Sequence, residues 1–304
     1  MNNLRVEHVS PNIGSFANSA GKISKMLAVG FITAAIGLYI ILPSPAGLGA
    51  PGWAKWPVIA AIIAATVYLL KMIPGDIKPI LQRSYSIFSH KHTWIMSIIY
   101  TMTFGSFIGY SAGFALAIKV VFGFQHIMVD GVMTHDVANP KGPSALMYAW
   151  MGPFIGALIR PLGGWISDKI GGAKVTQYVA IVMIICALGA AYFLKSAYQS
   201  ETPEEYFVPF FILFLLLFAA TGIGNGSTFR TIAMVFNKEQ AGPVLGWTSA
   251  VAAYGAFIIP KVFGEQIKAA TPEDALYGFA IFYFICLCLN WWYYLGPKRE
   301  YDNP

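Results

Sequence analysis

The sequence carries little charge. Only 11% of its 304 residues are Asp, Glu, Lys or Arg, while 57% are hydrophobic and 15% aromatic. Ordinary soluble domains carry about 25% charge, so this balance argues against a soluble domain and for an all-α polytopic membrane protein. Cysteine is also scarce. Cys186, Cys286 and Cys288 all fall inside apolar runs, with no CxxC and no His cluster nearby, which leaves them as packing residues rather than a disulfide framework or a metal site. No HExxH, paired carboxylates or nucleophile–base–orienter set lies within those runs, which argues against an enzyme, and no cofactor is expected. The net charge of +6 sits in the gaps between apolar runs. There it orients helices, and no nucleic-acid partner is expected.

Apolar runs of near 20 residues are needed to cross about 30 Å of hydrocarbon. Eight qualify, at 26–43, 57–73, 93–122, 144–166, 175–195, 207–229, 241–260 and 276–295. The first two are bracketed by Pro43, Pro45, Pro51 and Pro57, which restrict the preceding residues and blur the helix ends. Alternate connectors are basic: Arg5, Lys22 and Lys25 in 1–25, Lys78, Arg83 and Lys91 in 74–92, Lys169 and Lys174, Arg230 and Lys238, and Lys298 and Arg299 in the tail at 296–304. The connectors 123–143 (Asp130, Asp136) and 196–206 (Glu201, Glu204, Glu205) are acidic, and 261–275 is mixed. Positive-inside bias then expects both termini in the cytoplasm, as an even number of spans requires. The basic N-terminal segment 1–25 reads as leading into an anchor, not a cleaved signal. The organisation expected is 1–25 as a cytoplasmic segment, 26–73 as a helix pair, 74–92 as a basic connector, 93–295 as a six-helix unit and 296–304 as a cytoplasmic tail.

Within the fourth run lies Arg160, about eight residues or roughly 12 Å of helix rise before Asp168. A charge that deep costs at least about 2.5–3.5 kcal/mol. Two readings stand: it binds an anion, or it pairs with a carbonyl or reaches a headgroup. Tyr100 and Phe104 are one helical turn apart, as core residues or as faces flanking a small planar anion held by the arginine fork. Gly242, Gly246, Ala250 and Ala253 or Gly255 recur along one side of 241–260. They form a packing seam, or Gly246 exposes backbone to a ligand. TGIGNGSTF at 221–229 is no nucleotide loop, since no strand precedes it and no GK[ST] follows. His92 and His126 lie at span edges, His90 and His135 in connectors. None of the eight runs contains Asp or Glu, which argues against a proton relay and makes anion exchange the simpler mechanism. Residues alone also leave an anion channel open.

GGWISDKIGGAKVT, 163–176, resembles the G-x-x-x-D-R-x-G-R-R loop of the major facilitator superfamily, with Gly164, Asp168, Lys169, Gly171 and Lys174 at pattern positions. TFGSFIGYSAGF (103–114), GPFIGALIRPLGGWISDKIGGAKVT (152–176), ATGIGNGSTF (220–229) and GWTSAVAAYGAFIIPKVFG (246–264) are similar to successive blocks of the NarK-type nitrate/nitrite porters. The resemblance runs from about residue 57 to the end. It implies a bundle of twelve helices in two halves, with a midplane nitrate site that holds Arg160, lined by Tyr100, Phe104 and the backbone of Gly246. The residues match helices five to twelve, which implies an incomplete N-terminal half without the family's second arginine. The expected function is nitrate and/or nitrite transport in the inner (plasma) membrane by alternating access. The alternative is a split-gene fragment needing a second chain for the missing helices.

Overall fold

The computed structural model describes residues 16–73, 77–130 and 132–304. Residues 1–15 with Arg5 lie outside the described residues, as do 74–76, 131 and the side chains of Lys78, Arg83, His135 and Asp136. Among the described residues, eight helical segments are long and apolar enough to cross a membrane: Ala20–Ile41, Gly52–Met72, Lys91–Phe122, Ala145–Ile170, Gly172–Tyr198, Pro203–Val235, Lys238–Lys268 and Pro272–Leu295. The chain is an all-α multi-pass membrane protein apart from one hairpin.

Two compact units divide at Ile87/Phe88. In the first, α1 (Phe16–Ile41) and α2 (Lys55–Met72) are joined by a Thr66–Thr33 hydroxyl bond of 2.8 Å, with Gly37 letting Ile62 approach. Lys22 and Lys25, expected in a segment before the first span, lie on α1 itself. The expected connector 74–92 contains a further helix, α3 (Ile77–Ser86), whose Tyr85 ring carries the Lys71 ammonium at 5.5 Å.

The second unit begins with one long span: α4 (Lys91–Tyr100), a π-helical turn (Thr101–Gly105), α5 (Ser106–Ala117) and a second π-turn (Ile118–Phe122). The expected connector 123–143 instead holds an antiparallel hairpin, β1 (Phe124–Val129) and β2 (Val132–Ala138), with Phe124 opposite Ala138. Then come the short α6 (Ala145–Tyr148), α7 (Met151–Ile170), α8 (Gly172–Tyr198), α9 (Phe207–Val235), α10 (Lys238–Ala253), α11 (Gly255–Lys268) and α12 (Pro272–Asn290), which closes in a π-turn (Trp291–Leu295). Its core is aromatic. Phe207, Phe210, Phe214 and Phe218 recur every three or four residues on α9, and Phe114 of α5 stacks on Phe214 with centroids 4.4 Å apart. Each such pair adds about 0.5–1.5 kcal/mol beyond its buried area. The buried Tyr110, Tyr283 and Ser106 hydroxyls bond to one another, so polar groups at membrane depth satisfy each other.

Glycines set the helix crossings, because close backbone approach substitutes for a hydrophobic drive in lipid. On α9, a Cβ at Gly222 or Gly226 would strike the α7 backbone at Gly156 or Arg160. Gly109 and Gly255 bring α5 and α11 together in the same way, a Gly109 Cβ meeting the Gly255 carbonyl at 2.5 Å.

Residues 296–304, expected as a tail, fold back as a clasp. Glu300 accepts from Lys91 at 2.6 Å and lies 3.1 Å from His92 Nε2. Asn303 accepts from the Lys174 amide at 3.0 Å and donates to the Ile170 carbonyl at 2.7 Å, while the Pro304 carbonyl accepts from the Ala173 amide at 3.0 Å. These bonds span the single-residue break at Gly171, φ 93°, where a Cβ would collide with Asn303. The Lys91 hydrogen bond, helped by His92, holds the exposed Glu300 carboxyl below its ordinary value of 4.5. A depressed carboxyl stabilises above its unfolded value and loses that contribution as pH falls through the folded one. Asn303→Ala is therefore expected to cost about 1–3 kcal/mol from two lost hydrogen bonds, seen as a lower thermal midpoint. Acidification through that depressed folded value should open Glu300's end of the clasp. A tail whose amide exchange shows no loosening when the pH is lowered through the protonation of Glu300 would count against the pair.

Candidate functional site

The π-turn at Thr101–Gly105 sits between Tyr100 and Ser106 in the middle of the first long span of the second unit. Such one-turn insertions are rare and concentrate at functional sites. Tyr100 immediately precedes the turn and Phe104 lies within it, and their rings stack, centroids 5.1 Å apart and planes at 10°. Phe229 of α9 leans on Tyr100 at 5.3 Å. The Ser249 hydroxyl of α10 lies within reach of the Tyr100 phenol.

Across from this aromatic wall, α7 delivers Arg160. Its guanidinium carbon lies 4.9 Å from the Phe107 centroid and 5.8 Å from that of Phe104. Cation–π contact of this kind contributes about 0.5–2 kcal/mol. Nε is buried without a hydrogen-bond partner, and the ion pairs of the second unit all lie elsewhere among the described residues. Among the described residues no carboxylate lies within 4 Å of the guanidinium, which rests against the Phe107 and Phe104 rings.

The structure thus brings Arg160, Tyr100 and Phe104 to one place. Phe107, nearest to the guanidinium, was missed by sequence reasoning, though it follows Phe104 at helical spacing and could have been found on that ground. Gly246 is exposed, and a Cβ there would meet nothing within 4 Å. It lies one turn before Ser249 on α10. The small-residue seam is corrected: Gly242, Gly246, Ala250 and Ala253 are exposed, and only Gly255 packs closely, against Gly105.

The signature stretch is mostly helix. Gly164, Asp168 and Lys169 belong to α7, and only Gly171 is non-helical between α7 and α8. Asp168 Oδ1 lies 3.5 Å from Arg230 Nε, and the Lys169 ammonium sits 3.6 Å from the Trp165 centroid. Arg230, expected in a connector, is on α9, which continues to Val235. Among the described residues no group of three or more His, Cys, Asp or Glu could hold a metal ion.

No protein-family model matches the chain. It is similar to a probable nitrate/nitrite antiporter, NarK2, of Thermus thermophilus, 39% identical over 82% of this chain and 51% of that protein. It is also similar to the nitrate/nitrite transporters NarU of Escherichia coli strain K12, 36% identical over 75% of this chain and 47% of that one, and of Salmonella typhimurium strain LT2, 34% identical over 85% and 57%. The chain spans about half the length of the curated relatives it matches.

Proposed function

We propose that this chain carries nitrate, nitrite or both across the inner (plasma) membrane as a porter of the major facilitator type, with both termini in the cytoplasm. One observation carries the reading: a half-buried guanidinium rests on Phe107 and Phe104 with no carboxylate partner. A cation held among apolar helices without a carboxylate is costly, and a mobile anion that supplies the missing charge lowers that cost. Nitrate and nitrite are flat, and a planar fork donates two parallel hydrogen bonds to such an anion. Tyr100 and Phe104 stack directly on each other, centroids 5.1 Å apart, so the anion does not lie between the two rings as their spacing suggested but against the outside of the pair at Phe104, and the exposed Gly246 backbone lies one turn from Tyr100's neighbour Ser249. The names of the relatives supply the choice of anion.

Binding one anion neutralises Arg160. Releasing it leaves a bare charge that disfavours passage of the empty carrier through an occluded state, so loaded forms interconvert faster than empty ones. That asymmetry is what exchange requires. The eight apolar runs at 26–43 to 276–295 hold no Asp or Glu, the carboxylates that commonly relay protons, and His92 and His126 fall at span edges. Nitrate–nitrite counterflow in proteoliposomes, with and without a pH gradient, tests the reading. Saturable exchange that ignores the gradient is expected. Flux that rises without saturation would instead indicate a channel, and gradient-driven uptake would remove the exchange scheme.

A further inference from the structure

Asn225 is the buried polar residue on α9 that the fold leaves without a partner. It is 0% exposed, and neither its amide nitrogen nor its oxygen has a hydrogen-bond partner. Its neighbours do better. Thr221 donates to Phe218 at 2.8 Å, Thr228 to Gly224 at 2.7 Å, Ser227 to Gly224 at 3.0 Å and Thr231 to Ser227 at 3.1 Å. A buried carboxamide left unsatisfied is strongly disfavoured, so a polar occupant belongs beside it.

Helix geometry says where that occupant sits. At 3.6 residues per turn, Asn225 projects between Gly224, which faces Thr103 in the π-turn, and Gly226, whose Cβ would lie 2.5 Å from the Arg160 carbonyl. One turn further on, Phe229 touches the Tyr100 ring. Asn225 therefore faces the wedge between the π-turn and α7, the wedge across which Arg160 reaches to Phe104 and Phe107. Arg160 Nε is likewise buried and unpartnered. Two unsatisfied polar groups, on α7 and α9, thus border the same wedge.

We infer that Asn225 is a specificity-determining residue of the Arg160 site, its carboxamide N–H donating to an oxygen of the bound planar oxyanion. The inference rests on the anion-site reading and adds a directional requirement to it. Arg160 attracts any small anion by charge, whereas a second donor at a fixed angle rewards an anion with separate oxygens over a spherical halide. The carboxamide oxygen, which an anion repels, is left for a donor such as Arg160 Nε–H or a bridging water.

The test is nitrate and chloride binding to the purified full chain by calorimetry, alongside its thermal midpoint, for the wild type, Asn225→Ala, Asn225→Leu and Asn225→Ser. Losing one charge-assisted hydrogen bond should weaken nitrate about tenfold or more in the Ala and Leu variants. Chloride affinity and the thermal midpoint should hold, with Ser falling between. Unchanged nitrate affinity in Asn225→Ala overturns the inference. Equal loss of nitrate and chloride with a falling midpoint, or failure of both Ala and Leu variants to fold, assigns Asn225 a structural role and overturns it as well. A wild type that takes no nitrate removes the anion-site reading, and with it the premise, whereas wild-type binding matched by the variants removes Asn225 alone.

Discussion

Arg160→Lys is expected to abolish nitrate–nitrite exchange while leaving the protein as stable as the wild type. Lysine keeps the charge but loses the planar fork. The cost is two parallel charge-assisted hydrogen bonds, each about 1.5–3 kcal/mol, so nitrate affinity should fall about a hundredfold or more. The ammonium also makes a poorer contact with the Phe107 face than the guanidinium, whose central carbon lies 4.9 Å from the ring centroid. Stability should hold because no ion pair to Arg160 exists to be broken among the described residues. The two measurements separate the possibilities. Exchange unaffected by the substitution would remove Arg160 from the site. Loss of exchange together with a collapsed thermal midpoint would make it a packing residue.

Gly226→Ala is the second large effect. A Cβ at Gly226 would lie 2.5 Å from the Arg160 carbonyl, 2.5 Å from the Gly164 amide nitrogen and 2.9 Å from the Gly163 carbonyl carbon. All three are backbone atoms of α7, so no side-chain rotation relieves the clash and the helix itself must move. Overpacking of this kind costs about 1–3 kcal/mol. Here it also displaces the segment that delivers Arg160, so a lower midpoint and weaker nitrate binding should appear together. Gly164→Ala is the control. Nothing lies within 4 Å of a Cβ there, and alanine is the better helix former by up to about 1 kcal/mol. Gly164 stands at a position of the signature pattern and Gly226 does not, yet Gly226 is the position expected to be intolerant. Equal sensitivity of the two would refute the crossing geometry.

The site was partly legible in the residues. Arg160 stood out because a charge within an apolar run is expensive wherever the run sits. Tyr100 and Phe104 stood out by their spacing, although the rings meet across a π-turn rather than an ordinary helical one, and a π-turn has no signature in hydropathy. Asn225 was present in the glycine run that sequence reading set aside once a nucleotide loop was excluded. Nothing local says that Thr221, Ser227, Thr228 and Thr231 find backbone acceptors and Asn225 does not. Gly246 shows the reverse. It belongs to a periodic row of small residues, the pattern of a helix seam, yet the seam is formed elsewhere, at Gly109 and Gly255 and at Gly222 and Gly226.

The polarity of 296–304 suits a tail in water and that of 123–143 a connector, and polarity does not distinguish a free segment from one tied by hydrogen bonds into a clasp or a hairpin. Asn303 reaches 129 residues back along the chain to the Lys174 amide. Such a contact depends on where α12 ends relative to the start of α8.

By itself, then, the sequence determined that eight runs are long and apolar enough to cross a membrane and that one guanidinium, Arg160, lies well inside such a run. Transfer of each segment into lipid is a property of that segment's own side chains, and it can be summed residue by residue. Only the tertiary structure decided what the guanidinium rests on, which glycines bring α7 and α9 together, and which amide is left without a partner. Those outcomes depend on distances of a few ångströms between helices far apart in the chain.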